Sequence, residues 1–376
     1  GAIGEWDVSR ITNMESAFNK AQYFDGDISD WDVSSVISMT NMFYQAKSFN
    51  GDISKWDVSS ATDMSNMFSG VQFFNSDVSK WDVSRVKTMR AMFWNAARFN
   101  GDISKWDISS VTDMSEMFSE AESFNSDISK WDVSSVTTMT SLFSSAALFN
   151  GEISKWDVSR VNSMADMFWD ANMFNGDVSE WDVSSANNMK GMFRAASAFN
   201  SDISKWDVSS VQNMDGMFLG ATSFNSDISK WDVRNVGHMS SMFCWATSFN
   251  GDISKWDVSS VKYMNRMFSD ARMFNGDVSA WDVSSVTAMD RMFWNAESFT
   301  QHLCRAAWVN SKASKIDMFT GSSGSISQTV CTATFSSKAD LKSAVISCLK
   351  FSLKGDCPHG SHGPIWEWDV SRVTDM

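Results

Sequence analysis

Tryptophan returns at a fixed interval in this chain: Trp6, Trp31, Trp56 and so on to Trp281, each 25 residues after the last. Twelve units follow one another over residues 1–300 without slipping by a single residue. So short a unit cannot close a core of its own, so the units must stack, each coil burying the apolar side of its neighbours. The repetition also accounts for a composition unlike that of an average globular protein, with 26 Met, 28 Phe and 19 Trp against 2 Pro and 4 His.

Counting each Trp as place 1, one coil reads W-D-V-S-S-V-x-x-M-x-x-M-F-x-x-A-x-x-F-N-G/S-D-I-S-K. Met fills place 9 (Met14 to Met289), Phe fills places 13 (Phe18 to Phe293) and 19 (Phe24 to Phe299), and Ala, or Val71 in one coil, fills place 16. The intervals i, i+3, i+4, i+7 and i+10 from place 9 predict a short helix with one apolar face. The Ile or Val of place 23, the Trp and the Val residues after it predict a strand or two. Each coil is therefore expected to be a strand-plus-helix unit of an α/β repeat solenoid, and at about 4.8 Å per stacked strand twelve coils make a rod roughly 60 Å long. Pro358 and Pro364 both lie beyond the array, which suits a region where nearly every backbone N–H is needed in a ladder.

The run F-N-x-D-I-S-x-W-D-V-S-x-V-x-x-M-x-x-M-F-x-x-A resembles the BspA-like branch of the leucine-rich repeats, including the repeat family first catalogued in mycoplasma surface lipoproteins and abundant in microalgal proteins. The resemblance covers residues 1–300 and again 363–376. It implies a right-handed, leucine-rich-repeat-like solenoid on secreted or surface proteins, often adhesive, with no catalytic residues to carry over. Trp, Met and Phe stand where BspA itself has Ile, Leu and Cys, so ligand preferences do not transfer.

After Phe299 the pattern fails, and residues 301–336, rich in Ser, Thr and Ala, are expected to form a C-terminal cap or linker. Residues 337–362 carry a helical pattern, with Leu341, Val345, Cys348 and Leu349 on one face and Asp340 three places after Ser337 as a start signal. This reads as the N-terminal cap of a second array, whose first coil occupies residues 363–376 and repeats residues 1–14 at ten of fourteen places. The chain is on this reading one period, 362 residues long, of a longer tandem protein.

The formal charge is -14, and its acid is periodic: Asp at place 2 of every coil, and Asp or Glu152 at place 22. Stacked in register, these columns repel. Asx-turns to the following Ser residues, with the Lys of place 25 interleaved, would relieve them; Ca²⁺ bridging coils is the sharper alternative, although no EF-hand loop or RTX nonapeptide is present. The Asn column at place 20, Asn50 to Asn275, is read as structural. A nucleic-acid partner needs a basic footprint that this chain lacks. No apolar run nears the roughly 20 residues of a membrane span.

Cys304, Cys331, Cys348 and Cys357 crowd the stretch between the arrays and read as two disulfides, with Cys304 to Cys331 and Cys348 to Cys357 favoured over the other pairings. That places the protein outside the cell or on its surface. Cys244 is expected to be a free surface thiol. Cys357, His359 and His362 match no established zinc spacing, so no metal or other cofactor is assigned. With His238 the only histidine of the array, and no nucleotide or metalloprotease motif, the chain does not read as an enzyme.

Place 14, just beyond the invariant Phe, breaks the monotony with Tyr44, Trp94, Trp169, Leu219 and Trp294, and Trp245 stands one place later. These aromatics are candidate contacts for another chain or for sugars, set against packing within the solenoid. The expected function is that of an extracellular structural or adhesive repeat protein, partnered by itself or by other surface and matrix proteins; the alternative is a recognition module binding glycan or protein through the exposed aromatics. Ice binding needs a flat lattice of Thr, and the outward places hold Ser, Lys and Asp instead.

Overall fold

A computed structural model describes residues 2–331, 333–334, 337–351, 365 and 368–370. The repeats stack with their equivalent places in columns. Place 8 of each coil pairs in parallel with place 8 of the next, as in Asp63 with Thr88 and Thr88 with Asp113, a ladder one residue wide that runs from Asn13 to Ala288. Behind it lies one continuous core from Val8 to Met318, in which the Trp, Val, Met, Phe and Ala columns are buried.

The helix expected over places 9–19 does not form. Successive backbone N–H groups instead alternate in direction. Those of places 9, 11, 13 and 15 donate to the next coil, as Met139 does to Ser163 at 3.0 Å, Ser141 to Ala165 at 2.8 Å, Phe143 to Met167 at 2.9 Å and Ser145 to Trp169 at 2.6 Å. Those of places 12, 14 and 16 close turns three residues back, Leu142 to Met139 and Ala146 to Phe143 both at 3.1 Å. An N–H committed to the neighbouring coil cannot reach the carbonyl four residues behind it, so helix and stack compete for one donor, and the stack wins along the whole array. The same apolar intervals then line the inside of overlapping turns.

The backbone carries a mark of this solution. Places 11 and 15 have a positive φ in every coil, from +51° at Ala91 and Asn95 to +73° at Gly70. A positive φ at the third residue of a hydrogen-bonded turn is the type II signature, favourable for Gly and Asn and strained for bulky side chains.

Polar side chains satisfy what the turns leave over. The indole N–H of each buried Trp donates to the place 23 carbonyl of the second coil before it, 28 residues back: Trp156 to Ile128 at 3.1 Å and Trp206 to Val178 at 3.0 Å. The Asn column is a ladder in which each side-chain oxygen accepts the next Asn's backbone N–H, Asn100 from Asn125 at 2.8 Å and Asn125 from Asn150 at 2.9 Å. Asp32 accepts the Ser34 N–H at 3.1 Å and its hydroxyl at 2.6 Å, and Asp102 does the same with Ser104.

These Asx-turns outweigh the repulsion within the acid columns. The Ser104 hydroxyl and N–H hold the Asp102 carboxyl below its ordinary value, with Lys105 a lesser help and Asp77 a lesser opposing charge. The Lys column adds little direct pairing, since Lys205 with Glu180 at 2.6 Å is its one ion pair among the described residues. A depressed native pKa contributes stability that is present above the unfolded value, 3.8 for Asp, and lost as pH falls through the native value. The melting temperature should therefore hold from about pH 7 to about pH 5 and drop steeply below about pH 4. Circular dichroism melts across that range test this; a flat profile down to about pH 2.5 would assign the columns no net role.

The stacking continues past Phe299. Trp308 extends the Trp column, fully buried, with its indole N–H on the Val278 carbonyl at 3.1 Å. Ser314 pairs with Ala288, and Phe319 lies 5.6 Å from Phe293. Residues 302–326 thus lie over the twelfth coil as a degenerate thirteenth. Its strand β1 (His302–Leu303) pairs in parallel with β2 (Ser325–Ile326), and a short helix α1 (Ala306–Val309) carries Trp308. Cys304 and Cys331 are joined, 5.1 Å apart at Cα. Beyond them β3 (Ala333–Thr334) pairs in parallel with β4 (Trp368–Asp369), and the 14-residue α2 (Lys338–Phe351) begins where the Ser337 hydroxyl accepts the Asp340 N–H at 3.1 Å. Cys348, on α2, is disulfide-bonded; Cys357, His359, His362 and most of 363–376 lie outside the described residues.

Candidate interaction face

Twelve copies of one coil show which places the fold dictates. Places 1–3, 9, 13, 16, 19, 20 and 22–24 hardly vary, because each fills the core or closes a turn. Places 7, 8, 10, 11, 14, 15, 17 and 18 carry unrelated residues from coil to coil: place 14 alone holds Asn19, Tyr44, Ser69, Trp94, Arg194 and Cys244. These places follow one another round a single arc of the coil. Differences between coils are concentrated on that arc, with lesser changes at places 5 and 25, so it is the part of the surface best able to tell one ligand from another.

The five aromatic candidates stand on this arc in different settings. Trp169 is 40% exposed and Trp245 48%, whereas Tyr44, Trp94 and Trp294 are half-buried. Trp169 lies under the Arg194 guanidinium, 5.0 Å from its ring centre. Place 14 is not simply outward, as the sequence suggests. Small residues there sink between larger neighbours: Ser69, between Tyr44 and Trp94 in the column, is buried with its hydroxyl unpartnered. Cys244 is likewise free but only 6% exposed, which corrects the surface thiol expected from sequence. Burial pushes its thiol up to about 11, so it is uncharged at neutral pH.

Place 18 was not singled out from the sequence, yet Tyr23, Phe73, Leu148, Met173 and Met273 are all exposed there, Phe73 beneath Arg98 at 4.6 Å. Their spacing of multiples of 25 carried the signal. A further cluster stands at places 8 and 10: His238 sits 3.6 Å from Asp215 and 5.1 Å from the Tyr263 ring. Coils ten to twelve also form a half-open pocket of about 240 Å³ lined by Trp245, Arg266, Asp270, Arg291 and Trp294 with Cys244 and Ser269. Among the described residues no three His, Cys, Asp or Glu side chains converge as a metal site would need, and no helix is long and apolar enough to cross a membrane.

Among solved structures the chain is similar to a leucine-rich repeat protein from Eubacterium ventriosum, at 14% identity and a TM-score of 0.40, covering 85% of this chain and 88% of that one. It is also similar to the protein in a TLR13–ssRNA13 complex, at 9% identity and a TM-score of 0.27, covering 85% of this chain; it spans about half, 52%, of that longer one. No curated protein matches it. The family model described as "Mycoplasma protein of unknown function, DUF285" matches four times, over residues 1–96, 71–177, 149–243 and 224–332. With the repeats from end to end of the array accounted for by that model, the chain belongs to this family, and its repeats form the solenoid described above.

Proposed function

We propose that this protein is an adhesion scaffold of the cell surface or extracellular space, which meets partner proteins and glycans with the variable arc of its solenoid and uses the constant arc for stacking alone. The observation that carries this reading is the concentration of coil-to-coil variation on one arc on which Trp169, Trp245 and Phe73 stand exposed. Aromatic and Arg side chains on a polar surface are the residues that interfaces enrich. The Cys304–Cys331 disulfide suits an oxidising compartment, and the family's mycoplasma origin suits a surface.

Replacing Trp94 and Trp169 together with Ser tests it. The double variant should melt within a few degrees of the parent, as surface substitutions do, while beads coated with it should lose homotypic clustering. Unchanged clustering, or a fall in melting temperature above about 10 °C, would instead assign the rings to packing within the solenoid.

A further inference from the structure

The pocket of coils ten to twelve contains a feature that the fold does not ask for. Trp245 occupies place 15 at φ +60°, a conformation that other coils give to Gly70, Asn95, Asp170 and Gly220 but also to Lys20, Gln45, Glu120, Ser145 and Ala195, none of them aromatic. A bulky residue there is strained, and such strain persists where a site has a use for it. Arg266 and Arg291 stand at place 11 of the next two coils, again at positive φ. Three of the pocket's side chains, Trp245, Arg266 and Arg291, thus stand at left-handed places, and so does the buried Asp270.

We propose that this pocket binds one carboxylate-bearing sugar of an acidic glycan, a proposal that rests on the variable arc being a recognition surface. Trp245 and Trp294 offer indole faces to the C–H side of a pyranose ring. Arg291 is fixed by Asp317, its Nε and Nη2 both 3.3 Å from one carboxylate oxygen. Arg266 has no ion-pair partner among the described residues, and its backbone N–H on the Asp290 carbonyl at 2.9 Å sets it one coil below Arg291. A planar guanidinium left free beside a second one is the fork that takes a carboxylate in two parallel hydrogen bonds.

The floor of the pocket chooses between acidic ligands. Asp270 is buried, held by the Ser269 hydroxyl and the Asn295 amide, both at 3.2 Å. A buried carboxylate needs hydrogen-bond donors, and sugar hydroxyls supply them while the ligand's own carboxylate lies on Arg266. An acidic peptide side chain would bring a second carboxylate to Asp270 and no hydroxyl. A neutral sugar would satisfy Asp270 and leave the cation unmatched. The cavity, about 240 Å³, is below the roughly 300 Å³ at which drug-sized pockets begin, so it holds a single ring.

The experiment presents the full chain to an array of uronate- and sialate-bearing oligosaccharides, each beside its carboxyl-reduced counterpart, and to oligoglutamate. At least one acidic oligosaccharide should bind about tenfold more tightly than its reduced form and than oligoglutamate, and binding should weaken as salt rises from about 50 mM to about 500 mM. Arg266→Gln should abolish that preference at unchanged melting temperature. Trp245→Gly, which relieves the strained place, should lose binding while melting no lower than the parent, an outcome that a merely structural Trp would not give. Equal binding of acidic and reduced forms, binding of oligoglutamate as tight as that of the sugars, or no acidic sugar bound at all would overturn the proposal. Were homotypic clustering through Trp94 and Trp169 to survive such a result, the pocket alone would fall and the adhesive face would stand.

Discussion

Truncating Phe168 to Ala in the seventh coil should remove about 4 kcal/mol of stability, as read from denaturant unfolding. Its ring has no exposed surface and stacks on four others: Phe174 at 3.8 Å within its own coil, Phe193 at 5.5 Å and Phe143 at 5.7 Å in the coils on either side, and Trp181 at 6.5 Å. A cavity left there cannot collapse, because the backbone around it is pinned. Phe168 donates its N–H to Met192 at 2.8 Å, and Phe143 in the coil before donates to Met167 at 2.9 Å. Since each coil is held only by its neighbours, the loss should fall on coils six to eight first, where amide exchange should quicken before it does at either end of the array. A loss below about 1 kcal/mol would mean that the Phe column does not carry the core.

The core was legible because period and identity agree: a Trp, two Met or Leu, two Phe and an Ala in fixed places can only be a set of stacked columns. What those places do locally was not, since i, i+3, i+4 and i+7 describe one face of a helix and equally the inner side of a ribbon of turns. Places 11 and 15 held the deciding signal. Asn41, Asn66, Gly70, Asp166, Gly191 and Gly220 are residues that tolerate positive φ, and a helix interior has no call for so many of them every fourth residue. The polar places were easier, because Asp two residues before Ser, or Asn in an unbroken column, has few local partners other than backbone N–H groups.

The candidate site was legible in part. Trp169 and Trp245 could be found as exceptions to the consensus, but whether a side chain at place 14 protrudes depends on the residues above and below it in the column, which is why Cys244 and Ser69 are buried where Trp169 is not. Arg266 and Arg291 drew no attention, for a sequence rich in charge gives no reason to single out two arginines 25 residues apart. Only the stack makes them neighbours. In a solenoid, sites are written down columns, so the useful reading compares each place across coils before it compares residues along the chain.

Replacing Trp308 with Ala should have an effect of similar size, about 3 to 5 kcal/mol, but at one end of the array. The two-residue lengthening of the twelfth coil hides Trp308 from a strict 25-residue search, yet it is fully buried and completes the Trp column with its indole N–H on Val278. Losing it removes the ring and leaves the Val278 carbonyl, otherwise buried, without its donor. The thirteenth coil has few other anchors: Leu303, Ala313 and Met318 are its remaining buried apolar side chains, and the Cys304–Cys331 bond ties it to the segment that follows and not to the coil below. The variant should therefore fray residues 302–326 and expose the apolar edge of the twelfth coil, Phe293 and Phe299 foremost, to water. Hydrogen exchange should rise in coils twelve and thirteen and stay at parental rates around Phe168, and the uncovered edge should drive association that the parent does not show. Exchange rising equally in all coils would mean that the array unfolds as one cooperative body, and unchanged exchange throughout would mean that residues 302–326 are not part of the stack.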